Sequence, residues 1–132
     1  MYTSQHLRVN DVYTREDLRR KFGIKDATIN NGIFHPKAHD SIWLFVTEEK
    51  TKDRTQYKDE LKNDDLYIDG QTAGLRDRLL IEHEQNGLEV ILFHRKAKYE
   101  YPGAGFRFEG PFKYVEHRGS RPAHFHFRRV NS

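Results

Sequence analysis

Aromatic and polar residues lie together in segments that the sequence predicts as loops or strand ends. Aromatic rings can stack on a nucleobase, and the amide of Gln or the hydroxyl of Thr can hydrogen-bond to the edge of the base. A single Trp at position 43 is a further candidate for the wall of such a pocket, although Trp is more often found in a core. We therefore predict a pocket for one base, formed by Trp43, Tyr57, Gln71, Thr72, Tyr101 and Phe106.

Positive charge is concentrated in the last third of the chain. The 132 residues carry a net charge of +3, and residues 95–132 hold nine Lys and Arg against three acidic residues. Such an uneven distribution is typical of proteins that bind a polyanion such as nucleic acid. A solvated basic face without a partner is the alternative interpretation.

Acidic residues on both sides of an apolar segment permit a different interpretation, a Mg²⁺-dependent nuclease. Asp40 precedes the apolar run at 42–46, and Glu48 and Lys50 follow it. Nucleases of this kind hold Mg²⁺ on carboxylates and place a Lys near the developing charge. The pattern arises easily by chance, so we keep it as an alternative function.

Two histidines near the end of the chain could begin a metal site. His124 and His126 would project from the same face of a strand, about 7 Å apart. A metal needs third and fourth ligands, and the spacing to His94 or His117 does not specify them. A basic strand facing solvent is therefore the favoured interpretation, and we predict neither a metal nor a cofactor. The absence of Cys excludes disulfides, thiolate zinc sites and cysteine nucleophiles.

Capping signals predict a helix near the N-terminus. Thr14 can cap it, Asp17 completes a capping box, and Gly23 is suited to its end. A second short helix at 26–31 would give a helix-turn-helix, whose second helix enters the DNA major groove. That helix would have barely two turns, so a helix and turn packed on the sheet is favoured.

The remainder is predicted to form short strands separated by turn signals. Residues 42–47 suit a buried strand, and residues 123–129 alternate between apolar and polar positions. Two further strands, at 78–83 and 88–95, flank Asn86-Gly87, a dipeptide typical of tight hairpins.

The predicted architecture is α+β: a mostly antiparallel β-barrel or folded sheet with one or two N-terminal helices. Residues 1–12 are expected to form an extended arm, and residues 13–130 a single domain. No run approaches the roughly 20 apolar residues of a membrane helix. The N-terminus also lacks the pattern of a secretory signal, so we expect a cytoplasmic protein without a membrane partner.

Several stretches resemble a C-terminal module of modification-dependent (type IV) restriction enzymes. In those enzymes the module follows phospholipase-D-like nuclease and helicase domains, and similar units occur beside HNH nuclease domains. The resemblance spans residues 13–130, and its strongest parts are Arg54-Thr-Gln-Tyr57-Lys-Asp59, Gly70-Gln71-Thr72 and Phe108-Glu-Gly-Pro-Phe-Lys-Tyr-Val-Glu-His117 with Gly119-Ser-Arg-Pro122.

The resemblance implies a PUA/SRA-like β-barrel that reads a modified base in double-stranded DNA, modified cytosine being the first expectation. Relatives of the SRA type flip the base into a pocket between aromatic side chains, here assigned to Trp43, Tyr57, Gln71 and Thr72. The basic residues expected at the DNA backbone or grooves are Arg54, Arg95, Lys96, Arg107, Arg118 and Arg121.

This chain departs from the better-known members of that family in two respects. The Trp-Gln-Ser of the helicase-linked form is here Asp69-Gly70-Gln71-Thr72, which lacks the aromatic residue. The nuclease and helicase segments are also missing from the sequence. We therefore expect a DNA-binding module that reads without cutting and acts with a nuclease or helicase on the same or another chain. A module that binds a protein or a small ligand is the third possibility.

Overall fold

A computed structural model describes residues 1–49 and 59–130. The residues form eight strands and two α-helices, with short 3₁₀ turns between them. The strands are β1 (Val12–Tyr13), β2 (Ile33–Phe34), β3 (Ser41–Thr47), β4 (Glu60–Lys62), β5 (Asp65–Asp69), β6 (Glu89–Arg95), β7 (Phe106–Arg118) and β8 (His124–Arg129). The helices are α1 (Arg15–Phe22) and α2 (Asp77–Ile81), and the 3₁₀ helices are Thr3–His6, Ala27–Asn30 and Pro102–Ala104.

All eight strands belong to one sheet with the order β2-β3-β6-β7-β8-β5-β4, and β1 pairs with β7. The pairing of β3 with β6 is parallel, and the other pairings among the described strands are antiparallel. The prediction of an α+β, mostly antiparallel sheet is therefore confirmed. The predicted closed barrel is not seen, because no pairing joins the end strands β2 and β4 within the described residues.

The sheet nevertheless curls around a core. Ile33 from one end of the strand order and Leu66 from near the other end belong to the same buried cluster. Helix α2 adds Leu80 to this cluster. β2 and β5 therefore face the same core without pairing, and the unpaired gap between them is the opening of the sheet.

A second core lies on the other face of the sheet, under α1. It joins Leu18 of α1 and Ile29 of the 3₁₀ turn to the aromatic residues of β3, β6 and β7. Since successive side chains of a strand point to opposite faces, β3 is buried on both sides, with Leu44 in one core and Trp43 in the other.

Helix α1 forms as its capping signals predict. The Thr14 side chain accepts from Asp17 N, the Asp17 carboxylate accepts from Thr14 N, and Gly23 ends the helix with φ +64°. The next element is a four-residue 3₁₀ helix, Ala27–Asn30, which is too short to be a recognition helix. The segment is thus a helix and turn packed on the sheet.

The predicted strand at 78–83 and its hairpin are wrong. These residues are mostly helix α2, and the turn at Asn86–Gly87 leads from that helix into β6. A parallel neighbour for β3 requires a crossover rather than a hairpin, and α2 lies within that crossover. The consecutive apolar residues Leu79, Leu80 and Ile81 do not by themselves distinguish a helix from a strand.

The N-terminal segment is not the predicted extended arm. Thr3–His6 is a 3₁₀ helix, and Thr3 is fully buried, with its N–H donating to Ser41 Oγ at 2.9 Å. Ser4 donates to the Glu89 carboxylate from both its backbone and its hydroxyl group. The segment therefore belongs to the folded unit.

Candidate nucleic-acid interface

A pocket of about 300 Å³ lies where β5 ends, at the opening between β2 and β5. Ligand pockets in proteins have volumes of about 300–1,000 Å³, so the space suits a ligand the size of a base. The pocket is lined by Gly32, Ile33, Asp59, Asp69, Gly70, Gln71 and Thr72. Of the predicted base-pocket residues, Gln71 and Thr72 are thus brought together.

The turn after β5 is closely packed against the core. A Cβ atom at position 70 would lie 2.9 Å from the Phe125 ring and 2.7 Å from Asp77 Oδ1, so this position requires glycine. Gly70 N donates to Ala123 O at 2.8 Å, and Gly74 N donates to Gln71 O at 2.9 Å. These contacts fix the backbone on which Gln71 and Thr72 are carried.

Gln71 contributes an unusual group to this pocket. Its Oε1 is buried and has no hydrogen-bond partner among the described residues. The nearby Asp77 Oδ1 is also buried and also has no partner there. A buried acceptor without a partner costs about 1–3 kcal/mol of stability. A hydrogen-bond donor brought to Oε1 would remove that cost.

Carboxylates form another part of the lining. Asp59 Oδ1 accepts from Asp69 N at 3.0 Å, which holds the two residues side by side. Asp69 Oδ1 lies 2.5 Å from His124 Nδ1 on the neighbouring strand. Two carboxylates thus form one side of the pocket.

Of the predicted DNA-contacting arginines, Arg121 lies beside this pocket, and Arg118 lines a neighbouring cleft of about 270 Å³ that shares Asp69 with it. Arg118 ends β7 and Arg121 lies in the turn to β8, and both are exposed. The Arg121 Cγ atom would lie 3.8 Å from a Cβ atom placed on Gly74, so the turn bearing Gln71 and the turn bearing Arg121 are in contact. Neither arginine side chain has a hydrogen bond or an ion pair within the described part of the chain.

The aromatic residues Trp43 and Phe106 are not part of an accessible pocket. Trp43 is fully buried, surrounded by other rings, and its Nε1 donates to Thr3 Oγ1 at 3.0 Å. Phe106 is 1 % exposed and belongs to the same core. Both assignments to the base pocket are therefore wrong, because α1 covers this face of the sheet.

Arg95 is a structural residue rather than a DNA contact. Its guanidinium lies 3.9 Å from the centre of the Phe106 ring and donates to Thr47 Oγ1 at 2.8 Å and to Ala104 O at 2.7 Å. Burial lowers the pKa of Arg95. Burial, together with the charge of Arg95, also lowers the pKa of neighbouring Arg15 to about 10.

Lys96, Tyr101 and Arg107 lie together in a different cleft, of about 540 Å³. This cleft includes His94, which hydrogen-bonds to the Glu48 carboxylate. Arg107 and Arg118 mark opposite ends of β7, on the order of 30 Å apart at the rise of a strand. The predicted DNA-binding residues therefore divide into one group near Arg107 and another near Arg118. Tyr101 belongs to the first group and cannot share a pocket with Gln71.

The alternative nuclease site is not assembled. Asp40 and Glu48 lie at opposite ends of β3, about 25 Å apart at the rise of a strand. Asp40 pairs with the N-terminal ammonium group at 2.9 Å, and Glu48 with His94. Two carboxylates so far apart cannot hold one Mg²⁺ ion. Lys50 lies outside the described residues, as do Arg54 and Tyr57.

His124 and His126 each face a carboxylate on β5. His124 pairs with Asp69, and His126 Nε2 lies 2.8 Å from Asp65 Oδ1. The bond from His126, supported by Arg128, lowers the pKa of Asp65. Within residues 1–49 and 59–130, no group of three or more potential ligands could hold a metal ion.

Sequence reasoning missed Gly32, Ile33, Asp59 and Asp69 as pocket residues. Gly32 comes from the other end of the sheet, and no local pattern connects it with Gln71. The signal for Asp69 was present, because it directly precedes the Gly70-Gln71-Thr72 motif. None of the helices in the described ranges is long and apolar enough to cross a membrane.

Comparison with known proteins shows a likeness of fold. No family model matches the sequence, and no curated protein does so. Among solved structures, the chain is similar to a modification-dependent TagI restriction endonuclease, with a TM-score of 0.54 and 19 % sequence identity. The alignment covers 95 % of this chain and 50 % of the endonuclease chain. The chain thus shares its fold with about half of that restriction endonuclease.

Proposed function

We propose that this chain is a DNA-binding module that reads a modified base as part of a restriction system. The observation that carries the proposal is a base-sized pocket at the open side of the sheet, whose lining residue Gln71 has a buried Oε1 without a hydrogen-bond partner among the described residues. The fold shared with part of an enzyme described as modification-dependent supports the same conclusion.

The lining of the pocket favours a base that carries an amino group. The Gln71 amide oxygen and the carboxylates of Asp59 and Asp69 are acceptors, and the exocyclic amino group of cytosine or adenine is a donor. Guanine and thymine carry a carbonyl oxygen at the position of this amino group, so an acceptor that faces that position favours cytosine and adenine. Modified cytosine is therefore the first ligand to test.

A base inside a duplex must leave the stack to enter such a pocket. Extruding it costs a few kcal/mol, which hydrogen bonds and stacking must offset. The described lining has no aromatic ring, so the proposal assigns stacking to Tyr57, which lies outside the described residues. An aromatic contact contributes about 1–3 kcal/mol per stacked base.

The exposed guanidinium groups of Arg118 and Arg121 supply the sequence-independent part of the binding. Arginine at a pocket rim neutralises phosphates on either side of the extruded nucleotide. Because condensed counterions are released on binding, the affinity should fall as salt concentration rises. The proposal assigns cleavage to a nuclease domain on the same or another chain, so the module itself reads without cutting.

Binding to matched duplexes tests this proposal. We expect the protein to bind a duplex with one modified cytosine more tightly than the unmodified duplex at low salt. Gln71→Leu should lose about tenfold of that preference, as expected for a base-edge contact worth about 1–3 kcal/mol. The same substitution should raise folding stability, since it removes an unsatisfied buried acceptor. Gln85→Leu, at an exposed position that does not line the pocket, is the matched control.

Arg121→Ala separates phosphate contacts from base reading. It should weaken binding to both duplexes about equally and reduce the salt slope by about one. Equal or undetectable binding to both duplexes would refute the proposal, and so would a Gln71→Leu variant that keeps the full preference. Incubation with plasmid and Mg²⁺ should leave the DNA intact, and cleavage by the pure chain would contradict the assignment of cleavage to another domain.

A further inference from the structure

A second groove, of about 450 Å³, lies on the α1 side of the sheet. Phe22, Ile24, Phe34 and Pro36 form its apolar part, and Lys25, Lys37 and His39 contribute polar groups. The end of α1 and the loop after β2 form its walls, whereas the proposed base pocket is formed by β5 and β2. The two cavities have no lining residue in common.

The aromatic rings that line this groove pack against buried aromatic residues of the core. The ring of Phe22 lies edge-on to His39 at 5.1 Å and to Trp43 at 5.8 Å. Trp43 and Phe34 are buried, whereas Phe22 is partly exposed and forms an accessible apolar surface. A flat ligand can therefore contact a preformed aromatic surface.

The hydrogen bond between Thr3 and His39 determines which ring nitrogen of His39 carries the proton and can donate to a ligand. Trp43 Nε1 donates to Thr3 Oγ1, and the same oxygen lies 2.6 Å from His39 Nδ1. The Thr3 hydroxyl proton has no other acceptor among the described residues, so it is donated to Nδ1. In a neutral ring the proton is then on Nε2.

The His39 ring lines the groove, and its Nε2 atom is not fully buried. It has no hydrogen bond among the described residues, and it is not one of the buried atoms without partners. Burial lowers the pKa of His39, and the N-terminal ammonium group adds to this effect, so the ring is neutral at pH 7. A neutral imidazole N–H can donate to a ring nitrogen or carbonyl oxygen of a base.

The rim of the groove is positively charged. Lys25 and Lys37 are both exposed there. The one acidic lining residue, Asp26, is already engaged as the cap of the following turn. Hydrogen bonds from Thr28 lower the pKa of Asp26, and the charges of Lys37 and Arg19 act in the same direction. With two lysines against one carboxylate, the rim carries a net positive charge.

We propose that this groove is a binding site for a nucleoside phosphate, separate from and independent of the proposed base pocket. The base lies against Phe22 and Ile24 and accepts a hydrogen bond from His39 Nε2. The phosphate lies between Lys25 and Lys37. The apolar surface and the donor match the face and the edge of a base, and the two cations at the rim match the phosphate.

Trp43 provides a direct signal for testing the site, because it is the only Trp in the sequence and contacts both Phe22 and His39. Titration of the full chain with AMP should change Trp43 fluorescence in a saturable manner. Adenosine and inorganic phosphate should each bind about tenfold more weakly than AMP, since each makes only part of the contacts. Excitation at wavelengths that adenine does not absorb avoids an inner-filter effect.

Charge reversal supplies the decisive comparison. The double variant Lys25→Glu/Lys37→Glu should weaken AMP binding about tenfold or more, and Lys113→Glu, at an exposed position of β7 outside the groove, should leave it unchanged. His39→Phe keeps a ring but removes the donor, and should weaken AMP without changing the affinity for phosphate. An absence of saturable binding, or AMP affinity unchanged in the double variant, would overturn the proposal.

Discussion

Substitution of Gly70 by Ala tests whether the turn that carries Gln71 is packed as closely as the structure shows. The new Cβ atom would lie 2.7 Å from Asp77 Oδ1 and 2.9 Å from the Phe125 ring. The φ angle at Gly70 is not in the left-handed region, so the effect should come from steric overlap rather than backbone strain.

The two contacts are not equally serious. Asp77 Oδ1 belongs to the end of a side chain and has no hydrogen-bond partner among the described residues, so it can move away at little cost. Phe125 is 2 % exposed and belongs to the core that contains Ile33 and Leu66, so it cannot move without disturbing its neighbours. Overpacking of a well-packed core costs about 1–3 kcal/mol, and we expect Gly70→Ala to fall in that range.

Equilibrium unfolding in urea measures this effect, and Gly32→Ala is its matched control. Gly32 lines the same pocket, also without a left-handed φ angle, but a Cβ atom there would make an ordinary 3.7 Å contact with Phe45 O. Its substitution should be neutral or stabilise by about 0.4–1 kcal/mol through the unfolded state. If Gly70→Ala were as stable as Gly32→Ala, the packing of the turn against Phe125 would be wrong.

Three further predictions concern the core and the helix cap. Trp43→Ala should destabilise the fold by about 3–5 kcal/mol in urea unfolding, because the side chain is fully buried, and the fraction that remains folded should keep its DNA preference. Thr14→Ala removes the side-chain cap of α1 and should lower the free energy of unfolding by about 1 kcal/mol. Thr28→Ala changes a threonine outside α1 and should leave that cap intact. Burial lowers the pKa of His39 below its usual value of 6.5. The stability that the neutral ring contributes is therefore complete above pH 6.5 and is lost as the pH falls towards the lower pKa of the folded state. Thermal unfolding should therefore show a shallower loss of stability below pH 6.5 for His39→Phe than for the unmodified chain, and identical slopes would contradict the burial of that ring.

Local patterns in the sequence were sufficient to predict several elements. Thr14, Asp17 and Gly23 specify α1 through contacts within a few residues, and the structure has each of them. The alternation in 123–129 correctly separates buried Phe125 from exposed His124, because a strand has a two-residue period. Gly70-Gln71-Thr72 was likewise identified as part of the candidate site and lies in the pocket.

Features that depend on distant partners were not predictable in this way. Nothing local shows that β3 would pair in parallel with β6, yet this pairing requires the crossover that contains α2. Nothing local shows that both faces of β3 would be covered, and this coverage places Trp43 in a core rather than in a pocket. An aromatic residue at the end of a strand has the same local pattern in either setting.

The sequence by itself determined the α1 cap, the class of fold, the alternating strand and the basic character of the last third of the chain. These properties depend on neighbours along the chain or on composition alone. The tertiary structure alone decided which of the candidate residues share a surface. The curl of the sheet brings Gly32 beside Gln71, and the length of β7 keeps Arg107 away from Arg118. The physical reason is that a site is formed by contacts between distant segments, and the way the sheet packs around its two cores sets those contacts.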